Sequence, residues 1–213
     1  MSDPDATVEV PREKAGGKPP QPEFSTPWPP LGDQLPEVEF SGGLLSAWVA
    51  NEDASALAQI AKDPLIKRWN PLSVRSDDEA RAFITTRAAS TDSLSWAIRG
   101  WPGGVVLGSL NLFHFEEPVR AVECGYFIAP AARGRGLAAR ALRAAAEFAF
   151  TEWQVNRMLA FHAVENAGSC RVLVKAGFSL EGHLRQSYRY GDGKVYDEHL
   201  HAMLAADLLG TTR

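Results

Sequence analysis

The strongest constraint on the fold lies between residues 126 and 138, where an apolar strand pattern runs through a proline and two glycines into an amphipathic helix pattern. Pro130 cannot donate to a strand ladder, so it predicts the end of the strand. Gly134 and Gly136 let the backbone approach a ligand closely. The first amides of the helix, from Leu137 onward, have no partners within the helix and carry partial positive charge. This strand, turn and helix together predict an anion-binding turn.

Arginines are concentrated at this turn. Residues 133–143 contain four arginines and no acidic residue, whereas the whole chain carries a net charge of −4. A diphosphate with a further phosphate nearby is the ligand that this charge and geometry favour; a helix with a solvated basic face is the alternative. The negative total charge argues against nucleic-acid binding driven by global charge, so we expect no nucleic-acid partner. The four arginines are Arg133, Arg135, Arg140 and Arg143.

The pattern Gly134-x-Gly136-x-x-Ala139 also satisfies a degenerate dinucleotide-binding fingerprint. The corresponding fold needs an acidic residue about 20 positions later, at the end of the next strand. That position holds Asn156, and the first acid after the predicted strand is Glu165. Because the hairpins predicted upstream also do not suit a doubly wound sheet, this interpretation is disfavoured.

Strand and helix patterns alternate along the chain from residue 44. Connections of hairpin length join three consecutive predicted strands, which makes these strands antiparallel neighbours. The strand–helix–strand order across residues 119–164 requires a crossover and therefore a locally parallel pair. We predict an α/β fold with a mixed, mostly antiparallel sheet. The predicted strands are 44–49, 95–98, 105–115, 119–129, 157–164, 178–190 and 195–204, and the predicted helices are 51–61, 76–88, 137–152 and 169–175.

The first 36 residues hold nine of the 14 prolines and few large apolar residues. This composition predicts a disordered, proline-rich tail over residues 1–36. An arm that packs on the domain or on a second subunit through Phe24, Trp28 and Leu31 is the alternative. The remaining residues, 37–213, are enough for one domain with a single core.

Composition and the N-terminus also bear on location. No stretch approaches the roughly 20 apolar residues that a membrane-spanning helix needs. The first residues lack the basic-then-apolar order of a secretory signal, and they carry acidic side chains that transit peptides avoid. We expect a cytoplasmic protein with no membrane partner. Cys124 and Cys170 lie in apolar or helical patterns, so reduced thiols are expected.

Several short motifs in order resemble one family. Arg133-x-x-Gly136-x-Ala138 resembles the acetyl-coenzyme A (acetyl-CoA) binding turn of the GNAT N-acetyltransferases, and residues 123–128 (ECGYFI) resemble the strand before it. Residues 166–169 (NAGS), followed by 175–178 (KAGF), are similar to the second signature of the family. With Glu181-Gly182 and residues 193–197 (GKVYD), the pattern looks most like the RimJ/RimL-like branch. The resemblance covers residues 40–208.

The resemblance implies a single GNAT-type domain with a central, splayed parallel strand pair and flanking helices. It implies direct acyl transfer from acyl-CoA, with acetyl-CoA as the expected donor and a longer acyl thioester as an alternative. The implied acceptor is a primary amine of a small molecule or of a peptide or protein N-terminus. No metal is implied, and a homodimer is an allowed state. A catalytically silent acyl-CoA-binding regulatory module is the second hypothesis.

The same resemblance assigns the cofactor contacts. Backbone amides of the turn would bind the CoA pyrophosphate, and Phe127 or Ile128 would donate a backbone N–H to the oxyanion of the tetrahedral intermediate. Asn166 is expected to form a hydrogen bond with the cofactor, although helix capping by Asn166 and Ser169 is the alternative. The implied CoA-binding residues are Phe127, Ile128, Arg133, Gly134, Arg135, Gly136, Leu137, Ala138, Asn166 and Ser169.

An ammonium group must lose a proton before or during attack on a thioester, so a general base is needed. Glu123 is our candidate, because strand alternation places it on one face with Gly125 and Phe127, near the turn. A carboxylate that pairs with an arginine or faces solvent is the alternative. Many relatives protonate the departing thiolate with a tyrosine at the position of Leu173. The resemblance to the RimL-like branch implies that Ser169 has this role here.

Three aromatic residues, Trp69, Tyr188 and Tyr190, are candidate walls of an acceptor pocket. Aromatic faces suit both apolar and cationic groups. Packing in the core is the alternative for all three.

The histidines are less informative. His162 lies in a predicted buried strand and is expected to be a hydrogen-bonded core residue. His199 and His201 share a strand face with Asp197, where they could contact an acceptor or lie on the surface of a hairpin. No histidine–cysteine spacing is typical of zinc. We therefore expect no metal.

Overall fold

The structure is a computed structural model that describes residues 35–70, 72–101, 104–117 and 119–210. These residues form a central sheet with helices on both faces. The strands are β1 (Val38–Phe40), β2 (Gly43–Ala47), β3 (Ser93–Gly100), β4 (Val106–Glu116), β5 (Ala121–Ile128), β6 (Arg157–Ala163), β7 (Ser179–Arg189) and β8 (Val195–Leu204). The helices are α1 (Ala50–Ile60), α2 (Pro64–Trp69), α3 (Asp77–Ala88), α4 (Leu137–Glu152), α5 (Ala167–Ala176) and α6 (Ala205–Leu209), and a 3₁₀ turn spans Pro130–Ala132.

The sheet has the order β1-β2-β3-β4-β5-β6-β8-β7. Every neighbouring pair is antiparallel except β5 and β6, which pair in parallel over only Ala121–Glu123 and Arg157–Leu159. Beyond Glu123, β5 stays paired with β4 up to Ile128, while β6 stays paired with β8. The two central strands therefore diverge, and a gap opens between them. The predicted mixed sheet with a splayed parallel pair is confirmed.

Helix α4 has the predicted bounds and covers one face of the sheet. Its inward positions include Ala141, Leu142, Ala145 and Ala149, all fully buried. Three of these four are alanines, so the helix can approach the sheet closely. They join a large core that also contains Trp96 and residues of α5. This core determines the position of the first turn of α4 relative to β5.

A second core lies on the opposite face, under α1, α2 and α3. Leu57, Ile66 and Ile84 from these helices pack with Val106 of β4 and Phe127 of β5. Phe127 therefore belongs to this face, as the strand alternation predicts. Helix α2 lies beside the β5 end that leads to the turn.

Several boundaries differ from the sequence predictions for local reasons. Strand β5 begins at Ala121 rather than at residue 119, because Arg120 has a positive φ of 53° that interrupts extended backbone. Helix α1 begins at Ala50, one residue before its predicted start, and Asp53 of its first turn accepts the N–H of Val49 at 2.7 Å. Strand β1 and helices α2 and α6 were not predicted.

Most of the predicted tail lies outside the described residues, as do the three apolar residues of the arm hypothesis. At the edge of the described chain, Leu35 packs against the core. The carbonyl of Pro36 accepts a hydrogen bond from Trp96 Nε1 at 2.8 Å. Among the described residues, no helix combines the length and apolar character that crossing a bilayer would require.

Candidate active site

A cleft of about 560 Å³ opens where β5 and β6 diverge. Its volume is in the range of small-molecule and cofactor sites. The turn before α4 forms one end, the first turn of α5 forms one side, and α2 closes the opposite face. The lining includes nine of the ten predicted CoA contacts, namely Phe127, Ile128, Arg133, Gly134, Gly136, Leu137, Ala138, Asn166 and Ser169. Arg135 is not part of the lining.

The backbone of the turn has the conformation that its glycines predict. Gly134 has φ of +77° and Gly136 has φ of +71°, a region that side chains other than glycine rarely adopt. Gly136 immediately precedes Leu137, the first residue of α4. A Cβ atom at Gly136 would lie 3.0 Å from Arg140 Nη1. The helix thus begins abruptly, and its first unpaired amides line the cleft.

The Arg133 side chain forms hydrogen bonds with neighbouring groups of the protein. Its Nη2 donates to Asp63 Oδ1 at 2.6 Å, its Nη1 contacts Asp63 Oδ2 at 3.3 Å, and its Nε donates to Ile128 O at 3.2 Å. The hydrogen bond from Arg133 is the main reason that the pKa of Asp63 is lowered, and partial burial opposes the shift. Asp63 also caps α2 by accepting the amides of Leu65 and Ile66. One carboxylate therefore joins α2 to the turn.

Two other arginines of the predicted basic patch also bond to backbone carbonyls. Arg140 donates to Ser41 O at 2.6 Å and to Arg135 O at 2.9 Å. Arg143 donates to Ala176 O at 3.4 Å. These guanidinium groups hold the turn and α4 in place, although their charge remains near the cleft.

Two further cations line the cleft from α5, namely Arg171 and Lys175. Sequence reasoning did not select them. Their spacing of four residues puts them on one face of the predicted helix, which was the available signal. They add positive charge to the side of the cleft next to the turn.

The backbone groups of β5 alternate between β4 and the gap. Ala129 donates to Leu107 O at 2.7 Å, so its N–H points toward β4. Because successive residues of a strand direct their backbone groups to opposite edges, the N–H of Ile128 points into the gap and that of Phe127 points toward β4. Of the two amides considered for the oxyanion, only that of Ile128 has the required direction.

The start of α5 brings two hydroxyl groups together. Asn166 caps this helix, with its side chain accepting the N–H of Ser169 at 3.2 Å, and both residues also line the cleft. Ser169 Oγ lies 2.9 Å from Tyr126 Oη of β5. Burial raises the pKa of Tyr126, so its hydroxyl remains protonated. Leu173 is fully buried in the main core and does not reach the cleft.

Sequence reasoning did not select Tyr126. It belongs to the strand motif that carried the family resemblance, but nothing in the sequence places its hydroxyl beside an α5 residue. Only the divergence of β5 from β6 allows α5 to lie against this part of β5. Tyr126 thus supplies a phenol near the cleft where Leu173 cannot.

Glu123 lies at the closed end of the gap, on the same sheet face as Phe127. Its Oε2 is 2.9 Å from Nδ1 of His114, an exposed side chain, and the Glu123 side chain itself is 22% exposed. The carboxylate does not form part of the cleft lining. The side chain that contacts this carboxylate is therefore a histidine, not the arginine that the alternative had named.

Two of the three predicted aromatic walls line the cleft. Trp69 of α2 and Tyr190 pack edge to face, with ring centroids 5.4 Å apart. Tyr188 is half-exposed and contacts Tyr190 from outside the cleft, at a centroid distance of 4.9 Å. These aromatic rings lie on the same side as α2.

A buried carboxylate that sequence reasoning missed stands behind this aromatic wall. Glu198 accepts hydrogen bonds of 2.8 Å from both Tyr190 Oη and Ser187 Oγ. Burial, together with the hydrogen bond to Glu198, raises the pKa of Tyr190. Glu198 is 7% exposed. Glu198 therefore lies behind the aromatic wall, bound to one of the two rings that line the cleft.

Comparisons with known proteins agree with this geometry. Residues 44–179 match the family model described as an acetyltransferase (GNAT) domain. An uncharacterized N-acetyltransferase of Bacillus subtilis, YoaA, is 26% identical over 165 residues, which are 76% of this chain and 93% of that protein.

Two solved structures share the fold. Mycobacterium smegmatis RimJ in complex with CoA-disulfide superposes with a TM-score of 0.70 at 23% identity, and covers 82% of this chain and 92% of its own. RimL, a ribosomal L7/L12 α-N-protein acetyltransferase in complex with CoA, has a TM-score of 0.69 at 20% identity, and covers 78% of this chain and 98% of its own.

Proposed function

The chain belongs to the GNAT acetyltransferase family, and from that premise we propose that it transfers the acetyl group of acetyl-CoA to a primary amine, as a member of the RimJ/RimL-like branch. The acceptor is a small-molecule amine or the N-terminus of a peptide or protein. Transfer is direct, without an acyl-enzyme intermediate. The assignment to the branch draws on the sequence motifs and on the folds of RimJ and RimL.

The observation that carries the proposal is the cleft itself, which joins the glycine turn to the start of α5 through the gap between β5 and β6. The unpaired amides after Gly136 form an anion site at one end. Arg171 and Lys175 add cations beside it. CoA is an extended molecule with a pyrophosphate, a further phosphate and a thiol, so it matches a gap whose positive charge is concentrated at one end.

The hydrogen bonds around the gap support a transfer step. The N–H of Ile128 is directed to the gap and would bind the oxyanion when the amine adds to the thioester carbonyl. When the intermediate collapses, the C–S bond breaks and the thiolate takes a proton. Ser169 would donate this proton and regain one from solvent in the open cleft, while Tyr126 Oη, 2.9 Å away, would hold the Ser169 hydroxyl in place. The tyrosine thus supports the serine in place of the aromatic acid that Leu173 replaces.

Two carboxylates are candidates for accepting the amine proton. Glu123 lies on the acceptor face at the closed end of the gap, and would act through a bridging water because its side chain is outside the cleft lining. Glu198 would act through Tyr190, whose hydroxyl it accepts and which lines the cleft. Glu123 is the proposed base, and Glu198 is the alternative.

The acceptor side suits a cationic amine before it loses its proton. Trp69 and Tyr190 present aromatic faces and edges, and Glu198 provides negative charge behind them. Cations are attracted to such an environment. Proteins similar to this chain include a putative ribosomal N-acetyltransferase of Bacillus subtilis, YdaF, and RimL, which supports testing protein N-termini among the acceptors.

The test is CoA-thiol release by the purified protein with acetyl-CoA and a panel of small amines, polyamines and N-terminal peptides. We expect release that depends on an acceptor, with a smaller rate for succinyl-CoA. Binding of CoA in calorimetry without acceptor-dependent release would favour the silent regulatory module. No binding of CoA or acyl-CoA would overturn both functions.

A further inference from the structure

Four side chains that are scattered along the sequence meet beneath α5. His162 comes from β6, His199 and His201 from β8, and Cys170 from α5. One ligand atom from each lies within 4.8 Å of all the others. His162 and His199 are opposite each other in the β6–β8 register, and His201 follows two residues later on the same face. The sequence predicted no metal because these residues have no compact spacing.

Four of the six ring nitrogens in this cluster have no hydrogen-bond partner in the part of the chain that the structure describes. Nε2 of His162, Nδ1 of His199 and both ring nitrogens of His201 are buried and have no hydrogen-bond partner among the described residues. Both ring nitrogens of His201 are in this set, and its side chain is only 1% exposed. A buried polar nitrogen without a partner is unfavourable, so the cluster is suited to a ligand that accepts nitrogen lone pairs.

The tautomer of His162 is set for ligation. Its Nδ1 lies 2.7 Å from the carbonyl oxygen of Ala163, which only accepts, so Nδ1 carries the proton. Nε2 therefore has the lone pair, and this atom is buried without a partner. A backbone carbonyl that holds the non-coordinating nitrogen of a ligand histidine is the usual second shell of a zinc site.

We infer that His162, Cys170, His199 and His201 form a four-ligand site for a divalent transition metal, with Zn²⁺ as the favoured ion. Three imidazoles and one thiolate are a tetrahedral donor set that zinc prefers. Zinc would bind as the Cys170 thiol loses its proton to solvent. Because all four positions are protein ligands, the site is closed and structural rather than catalytic.

Only modest side-chain movement is needed. Zn–N bonds of about 2.1 Å and a Zn–S bond of about 2.3 Å put tetrahedral ligand atoms about 3.4–3.7 Å apart. The widest separation here is within 4.8 Å, so a shift of about 1 Å closes the site. The metal can enter from the cleft, since His162 is part of its lining.

The site would join α5 to the two strands behind it. Cys170 directly follows Ser169, so the metal would hold the helix start that carries the proposed proton donor. His183, a fourth imidazole on this face, has its Nε2 bound to Asp197 Oδ2 at 2.9 Å and is not in the ligand set. It therefore provides a matched control.

The test uses the untagged full chain after treatment with a chelator and requires no CoA. Zn²⁺ is titrated by calorimetry and Co²⁺ by absorption, where a tetrahedral thiolate site gives intense visible bands and a sulfur-to-cobalt charge-transfer band. We expect one ion per chain, proton release on binding, and a raised melting temperature. Cys170→Ser should abolish the charge-transfer band and weaken binding at least about 10-fold. His183→Gln should bind as the unmodified protein does.

Absence of metal uptake by the folded protein would overturn the inference, as would a charge-transfer band that survives Cys170→Ser, because the remaining thiol is Cys124. His201→Asn is a second ligand variant, and circular dichroism verifies that it is folded. Unchanged metal affinity in both Cys170→Ser and His201→Asn would also overturn the inference. Acyl transfer is measured separately, so the two proposals can fail independently.

Discussion

Arg133 of the glycine turn forms a paired ionic contact with Asp63, the residue that caps α2, at 2.6 and 3.3 Å. The same guanidinium donates to the carbonyl of Ile128, the last residue of β5. A residue expected to bind phosphate thus also holds together the strand end, the turn and the helix over the cleft. The contact is partly buried, with Asp63 14% and Arg133 34% exposed. It therefore resists screening better than a surface pair does.

Breaking this contact should weaken CoA binding without removing any group from the cleft. In Asp63→Asn, the amide can still cap α2, but it leaves Arg133 without its ionic partner. We expect a loss of roughly 1–2 kcal/mol in the free energy of unfolding and a several-fold higher Kd for CoA. Asp78→Asn is the control, because Asp78 forms an exposed pair with Arg81 on α3. Equal effects of the two variants would contradict the positioning role.

The same carboxylate predicts a pH dependence of stability. The folded-state pKa of Asp63 is lowered from its ordinary value of 3.8, mainly by the hydrogen bond from Arg133. The unfolded chain then binds more protons between the two pKa values, so the contribution of Asp63 is full above about pH 4 and is lost as the pH falls. The free energy of unfolding of the unmodified protein and of Asp63→Asn is measured in urea at several pH values. The difference between the two proteins should become smaller as the pH falls below about 4. A difference that widened instead would refute the assignment.

Gly136→Ala should damage both folding and cofactor binding. The positive φ of 71° strains any residue with a Cβ, and the new atom would lie 3.0 Å from Arg140 Nη1. We expect a destabilisation of about 1–2 kcal/mol and weaker CoA binding in calorimetry. Gly193→Ala is matched, because Gly193 has φ of +78° and open space around it in the β7–β8 hairpin. That control should lose stability while it keeps its CoA affinity.

Removing the hydroxyl group of Ser169 or of Tyr126 should affect kcat more than the binding of acetyl-CoA. If Ser169 protonates the thiolate, Ser169→Ala should lower kcat by about 10²-fold or more, with little change in the Kd of acetyl-CoA. Tyr126→Phe removes only the hydroxyl 2.9 Å away and should lower kcat less. Ser187→Ala, which removes a hydroxyl from Glu198 outside the cleft, is the comparison. A kcat unaffected by Ser169→Ala would remove the serine from the mechanism.

Replacing each candidate carboxylate with the corresponding amide tests which of the two accepts the amine proton. Glu123→Gln should lower kcat by about 10² to 10⁴ and abolish the rise of rate with pH, because Gln cannot accept the amine proton. Acetyl-CoA affinity should be unchanged, since Glu123 lies outside the cleft lining. Glu198→Gln is measured beside it. A normal rate and pH profile in Glu123→Gln, with loss in Glu198→Gln, would move the role to the buried carboxylate.

The amino-acid sequence alone determined the local features of this protein. Helix α4 has the predicted bounds, because its apolar stripe and the preceding glycines are local signals that later packing did not change. The strand–helix–strand order around it required the parallel pair that is observed. The motifs also identified the family, since several short patterns in the right order define one architecture.

Tertiary structure decided which side chains meet. No local pattern in the sequence shows that Arg133 bonds to Asp63, 70 residues away, or that Tyr126 Oη lies 2.9 Å from Ser169 Oγ. The cluster of His162, Cys170, His199 and His201 was hidden for the same reason, since its members come from two strands and a helix. Periodicity assigns a residue to a face, but only the divergence of β5 from β6 and the packing of α5 bring those faces within contact distance.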